Sequence, residues 1–264
     1  MKLNVLIIGK NSFLSTNLFK YLKKKRINVK KISFKEFLKF KKIKLLKYDF
    51  IINCSINKSY YKKKYSKKND LDLVCARILS NLNSVLIIFS TGKIYGPGSN
   101  LKENSRKKPI DNYGKNKLIT EKSIQKIKKE LLIFRLSNIV GKKNNSNSRK
   151  ITNLFFDEIR KNLRKGLIII PKRNYFKDFI LVDDFIKIVY LSIIKNIKGT
   201  YNLSTNIKIY LHDLAQDISL YTGAKIIYSN SKTFSFTLNS KKLLKKIKMF
   251  KNLKNLRKNF YNIL

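Results

Sequence analysis

The sequence predicts an α/β protein built on a doubly wound parallel sheet. Short apolar runs alternate along the chain with longer, lysine-rich amphipathic stretches, the pattern of strands joined by crossover helices. The first apolar run, residues 3–8, ends at Gly9 and passes directly into helical periodicity, as a strand–turn–helix unit does. Taken in order, apolar runs place strands at 3–8, 28–32, 50–53, 85–89, 131–136, 167–170 and 201–203. The amphipathic stretches between them place helices at 13–25, 70–79, 113–129, 153–161, 182–194 and 211–221, with a short one at 240–247. Residues 96–111 hold two of the three prolines and read as a loop. Residues 141–150, without a large apolar side chain, read as another. Both follow the ends of expected strands, where open parallel sheets place their ligands.

At 264 residues and 43% hydrophobic content, the chain can bury one large core, with or without a small appendage. Residues 1–9 read as a buried strand and not as a signal peptide, because the apolar run is short and no small-residue cleavage site follows. No apolar run approaches membrane-spanning length. Cys54 and Cys75 give no disulfide framework, which fits a reducing cytoplasm, and both read as small core residues. His212 is the one histidine, so a His/Cys metal site is not expected; it reads as structural or exposed.

The net charge is +45. Such a charge fits a nucleic-acid or anionic-membrane partner. The lysines, however, run from Lys2 to Lys258 without a block or an aromatic platform, so we read them as a lysine-rich exterior with no specific nucleic acid.

The candidate chemistry centres on Tyr113-Gly114-Lys115-Asn116-Lys117. Four residues apart on a helix, Tyr113 and Lys117 project from one face, where an ammonium lowers the pKa of a phenol and equips it for acid–base work. Tyr21/Lys25 and Tyr60/Lys64 share the spacing, so context has to distinguish Tyr113. That context is the run 85–89 leading into Ser90-Thr91-Gly92-Lys93 upstream, and 131–136 leading into Ser137-Asn138 downstream. The turn Gly9-Lys10-Asn11-Ser12-Phe13-Leu14-Ser15 reads equally as an ordinary strand–helix turn or as a phosphate cradle with serines at two of three glycine positions. After the second strand come Lys30-Lys31-Ile32-Ser33, with no acid until Glu36, which leans towards a 2′-phosphate and NADP. Asp183 and Asp184 read as caps of the helix that follows them.

Taken together, these segments resemble the extended short-chain dehydrogenase/reductases, and within them the NAD-dependent epimerase/dehydratase group. The resemblance runs through 9–15, 89–96, 109–121, 135–141 and Lys177-Asp178-Phe179-Ile180-Leu181-Val182-Asp183-Asp184, with 199–203 and 236–242 resembling late segments. It implies a Rossmann-like dinucleotide-binding domain (1–137 with 175–203) and a small substrate lobe (138–174 with 204–264). It makes Tyr113 the acid/base, Thr91 the hydroxyl on the substrate oxygen, and Lys117 the ribose ligand. It places Gly9 to Leu14, Asn53, Cys54, Ser55 and Ser137 along NAD or NADP. Asn138, Arg173 and Lys177 fall to a nucleotide-sugar substrate, with Lys177 where an arginine is usual. Dehydration is disfavoured, because Gly92 and Lys93 follow Thr91 where a dehydratase needs acids. A 4-keto-sugar reductase and an epimerase both stay open. So do a decayed, binding-only member and, on composition alone, a basic nucleic-acid binder. A homodimer through the Tyr113 helix is usual in the group.

Overall fold

The computed structural model describes residues 3–141 and 154–249, together with Arg257 and Leu264. In chain order the first half contains β1 (Asn4–Ile8), α1 (Phe13–Lys24), β2 (Asn28–Ile32), α2 (Phe34–Leu38), α3 (Lys42–Leu45), β3 (Phe50–Asn53), α4 (Ser59–Lys62), α5 (Leu71–Ile78), β4 (Val85–Thr91), β5 (Gly98–Leu101), α6 (Asn112–Ile127) and β6 (Leu131–Leu136). The second half contains β7 (Asn138–Val140), α7 (Leu154–Leu163), β8 (Leu167–Pro171), β9 (Phe176–Lys177), β10 (Phe179–Leu181), α8 (Val182–Ile194), β11 (Gly199–Leu203), β12 (Ile209–Tyr210), α9 (Leu211–Thr222), β13 (Lys225–Ser229), β14 (Phe236–Leu238) and α10 (Lys241–Lys246).

Six strands form one parallel sheet in the order β11-β6-β4-β3-β1-β2. Its central strands are apolar throughout because both faces are covered. Alternate residues serve opposite layers. Val5, Ile7, Ile52 and Phe134 pack with α1 and α8, whereas Leu6, Ile8, Ile51 and Ile133 pack with α2, α3, α5 and α6. This two-sided burial is the doubly wound architecture that the alternating sequence implies. Cys75 is fully buried in the second layer, and Cys54 is half-buried against the first.

The expected strand at 167–170 exists as β8 but lies outside this sheet, paired with β13. With α7 and α9 it builds a separate core around Phe156, Ile168, Phe179, Leu214 and Ile218. The 96–111 segment is not all loop: β5 pairs with β14, a partner far along the chain that local composition does not reveal. Beyond Gly141, the 141–150 loop and Asn153 lie outside the described residues. Asp183 and Asp184 stand in the first turn of α8, but the capping position is Leu181, whose side chain makes no cap bond. His212 opens α9 with its Nε2 3.0 Å from the Pro171 carbonyl oxygen. Among the described residues no helix is long and apolar enough to cross a membrane.

Candidate active site

β1 delivers the chain to Gly9 at the carboxyl end of the sheet. Gly9 has φ +108°, and a Cβ there would lie 2.9 Å from Ser55 Oγ and 3.0 Å from the Cys54 carbonyl carbon. Only glycine lets this turn pass so close to the end of β3. Ser12 is the N-cap of α1 and accepts from the Ser15 amide at 3.1 Å. Ser15 is buried and donates to the Gly9 carbonyl at 2.5 Å. The serines at two glycine positions therefore close the turn with their hydroxyls and leave its backbone form intact. Lys10 and Asn11 are exposed, Leu14 is half-buried, and Phe13 is sunk in the core beside Gly141. Past β2, Glu36 is committed to a capping box, its carboxylate accepting from the Ser33 amide at 2.6 Å. Burial, Lys10 and Lys20 together hold the Lys31 ammonium below its usual pKa, so positive charge converges on this turn.

The Tyr113 helix is fastened to the end of β4. Asp111 caps α6 through the Gly114 amide at 2.7 Å and holds the Lys93 ammonium at 2.7 Å. A Cβ on Gly114 would meet the Lys93 carbonyl oxygen at 2.7 Å, so the approach of the two segments depends on glycine. Thr91, buried at the end of β4, accepts from the Lys93 amide at 3.3 Å. The head of the Tyr113–Lys117 helix thus abuts the Thr91 end of β4 at one corner, and the Tyr113 ring stacks on Tyr61 with centroids 4.7 Å apart.

Lys117 departs from expectation. It is buried, and its ammonium lies 2.7 Å from Asp72 of α5, itself buried. Asp72 also accepts from Asn53 Nδ2 at 2.6 Å. Burial pushes the Tyr113 phenol above its usual pKa; Lys117 pulls it down as expected, but Tyr61, Asp72 and Asp111 add to the rise. The lowering anticipated from the Tyr–Lys spacing is present and outweighed.

Asn53 spends its side chain on Asp72 and on the Ser55 amide, at 3.0 Å. Burial, then Asp72, raises the Cys54 thiol, while Ser12 bonds it in opposition. Ser137 Oγ is buried without a partner at the end of β6. Asn138 donates to the Asp178 carbonyl at 2.9 Å, joining β7 to β10. Arg173 is exposed, its guanidinium 5.5 Å from the centre of the Tyr175 ring. Lys177 donates to Thr233 Oγ1 at 2.6 Å and the Phe234 carbonyl at 2.8 Å. Its ammonium and that of Lys93 lie 5.8 and 5.7 Å from the centre of the same Phe234 ring. Burial and Lys93, against Asp111, push Lys177 down to about 8.

Three buried groups have roles that the sequence did not show. Asp72 sits in the first turn of a helix whose other buried residues, Leu73, Cys75 and Ala76, are apolar. Glu121 and Arg135 form a buried pair, Nη2 to Oε2 at 2.7 Å, which also takes in Ser90 and the Tyr95 hydroxyl. Asp178 is fully buried and accepts from the amides of Thr205, Asn206 and Leu238 at 3.2, 3.2 and 3.1 Å. Its spacing beside Lys177 was visible, its role as a clamp was not.

A family model described as the NAD dependent epimerase/dehydratase family matches residues 5–204. The chain belongs to this family. No curated protein sequence matches it. Among solved structures, it is similar to TunA, titled an NAD dependent NDP-hexosamine 5,6-dehydratase, with TM-score 0.83 and 13% identity over 99% of this chain and 96% of that one. It is similar to UDP-glucuronic acid 4-epimerase from Bacillus cereus in complex with NAD (0.78; 16%; 99% and 97%). It is also similar to WbmG from Bordetella bronchiseptica in complex with NAD (0.79; 17%; 100% and 93%). Identities this low speak for the fold.

As an epimerase/dehydratase family chain, it has a first turn that fits a dinucleotide. The close pass at Gly9, the start of α1 and the orphaned Ser137 hydroxyl all lie at the carboxyl ends of strands, where such sheets bind nucleotides.

Proposed function

We propose that this chain is an NAD(P)-dependent epimerase or 4-keto-sugar reductase acting on a nucleotide-activated sugar. The observation that carries the reading is the fastening of Tyr113 and Lys117 to the Thr91 end of β4, through Asp111, Lys93 and Gly114, at the same sheet edge as the Gly9 turn. Gly9 to Ser12, with Asn53, Cys54, Ser55 and Ser137, would hold the dinucleotide, which supplies hydride exchange at a sugar carbon when bound. Thr91 orients the sugar hydroxyl or carbonyl oxygen, and Tyr113 exchanges its proton with that oxygen. Lys117, held by Asp72, keeps a positive charge beneath the phenol. Lys177, with Arg173 and Asn138 near the lobe 138–174 with 204–264, takes the substrate's phosphates.

Dehydration is disfavoured on the chain's own residues. Gly92 and Lys93 follow Thr91, and Lys93 is an ammonium held by Asp111, not an acid for eliminating water. The solved relatives include a dehydratase and a 4-epimerase, so the family spans these chemistries. The lysines about Lys31 support NADP, whereas the titles of the relatives name NAD.

The test is Tyr113→Phe. Turnover of UDP-sugars should drop about 10²–10⁴-fold while dinucleotide binding persists. Undiminished turnover refutes the mechanism. The buried Lys117–Asp72 pair gives a binding-only member specific support, and a wild type that binds dinucleotide but turns over no nucleotide sugar would establish it. Mass spectrometry of small molecules released on denaturation separates the two chemistries. Retained dinucleotide favours an epimerase, and an empty protein favours a reductase with exchangeable cofactor.

A further inference from the structure

The two short helices that follow the edge strand β2 combine a dense run of lysine with exposed aliphatic side chains. Residues 34–47 carry Lys35, Lys39, Lys41, Lys42, Lys44 and Lys47 against the single acid Glu36, and all seven are exposed. Of the segment's seven apolar side chains, Phe37 and Leu45 are fully buried and fix α2 and α3 to the sheet, and Phe34 and Phe40 are half-buried against the same core. The remaining three face outward. Leu38, Ile43 and Leu46 are 53%, 74% and 65% exposed, within nine residues of chain. Ile43 and Leu46 are three apart on one helical turn and so share a face. Lysine alone is explained by composition, but large aliphatic side chains held out in water among lysines are not.

We infer that the α2–α3 edge docks on an anionic lipid surface, with Leu38, Ile43 and Leu46 entering the interface and the surrounding lysines meeting headgroup charge. An apolar face ringed by lysine is the chemistry of interfacial association, in which buried apolar area and attraction to anionic lipid add. Charge argues against a second copy, since two such segments would bring lysine against lysine. Three side chains are also too few for a stable dimer, which needs about 1,000 Å² or more. Nucleic acid would satisfy the lysines and leave the aliphatic side chains without a role. The docking is peripheral, and it is independent of the reaction proposed above.

The test uses the full chain and vesicles of phosphatidylglycerol with phosphatidylcholine, against phosphatidylcholine alone. The variant Leu38→Ser/Ile43→Ser/Leu46→Ser keeps every charge and changes only exposed side chains, so the fold and its melting temperature should persist. At about 0.5 M salt, where exposed charges are screened, wild type should still sediment with anionic vesicles and the variant should bind roughly 30-fold more weakly. The chain contains no tryptophan, so Ile43→Trp supplies a single reporter whose emission should shift to the blue on adding anionic vesicles. Equal binding by variant and wild type, or an unshifted Trp, overturns the inference and leaves only polycation attraction. A DNA duplex that binds with the same dependence on the three aliphatic residues would assign the surface to nucleic acid and overturn it as well.

Discussion

Replacing Asp72 by asparagine tests the least expected contact of the site. The substitution keeps the shape and an oxygen for Asn53 but removes the charge 2.7 Å from Lys117, where both partners are nearly inaccessible. Breaking a buried pair by removing one member costs about 3–5 kcal/mol, because the remaining charge is left without compensation. Against a total stability of about 5–15 kcal/mol that is a large share, and it should lower the urea midpoint by roughly 1–2 M. The pH dependence has a definite sign. In wild type, burial opposes the Lys117 charge, but Asp72, Tyr113 and Tyr60 together raise its pKa above the ordinary value. Its contribution is therefore present throughout neutral pH and lost only as pH rises through the folded pKa. In the variant, burial is opposed only by Tyr113 and Tyr60, and it lowers the folded pKa below the unfolded one. The unfolded chain then binds more protons between the two values, so the deficit shrinks as pH rises. The charged or titratable groups facing Tyr113 and Lys117 are Asp72 of α5, Tyr60 and Tyr61 of α4, and Asp111 at the head of α6. While Lys117 keeps its charge, removing Asp72 takes away one influence that raises Tyr113 and the phenol should ionise at lower pH; once Lys117 loses its proton, the larger influence that lowers Tyr113 goes with it. Urea titrations at several pH values, with a spectroscopic titration of tyrosinate, measure both effects. A deficit relative to wild type that does not shrink as pH rises refutes the account.

Lys177→Gln should remove a pH dependence of substrate affinity. With Lys177 pushed down to about 8, its ammonium is lost above that pH and KM for a nucleotide sugar should rise there in wild type and stay flat in the variant. Gly9→Ala places a Cβ 2.9 Å from Ser55 Oγ at φ +108°, so it should destabilise by about 1–3 kcal/mol in thermal melting and abolish retention of dinucleotide. Asp178→Ala strands the amides of Thr205, Asn206 and Leu238; at about 1–3 kcal/mol each, a total loss of at least about 3 kcal/mol should be seen by denaturant titration.

The inner strands of the main sheet were legible because burial on both faces forces continuous apolar runs, and 50–53 and 131–136 stand where the sequence puts them, as does the edge strand 28–32, of which only Ile32 is buried. Helices α1, α6 and α8 were legible from their periodicity. The strands β5, β7, β9, β10, β12, β13 and β14 were not, since each is short and exists only through a partner distant in sequence. Helices α2, α3 and α4 are likewise too short for a period to register. At the site, spacing exposed Tyr113 and Lys117, but it could not reveal that Asp72, forty-five residues earlier, occupies the lysine. The form of the first turn was hidden because glycine spacing does not show hydroxyl geometry, in which Ser15 closes the turn by bonding to the Gly9 carbonyl.

Gly92, one residue after Thr91, packs so tightly beneath β14 that a Cβ there would lie 2.5 Å from the Phe236 ring and 2.9 Å from Leu238. A segment near the far end of the chain thus forms the roof over the threonine corner, while its own strand partner is β5. On the ribosome, β1 to β6 can fold into a nearly whole sheet, lacking only β11, long before that roof is synthesised. The corner then waits, uncovered, for a closure across more than half the chain, the kind of contact that slows folding. Nucleotide added during synthesis should therefore find its turn at Gly9 earlier than any sugar finds its pocket.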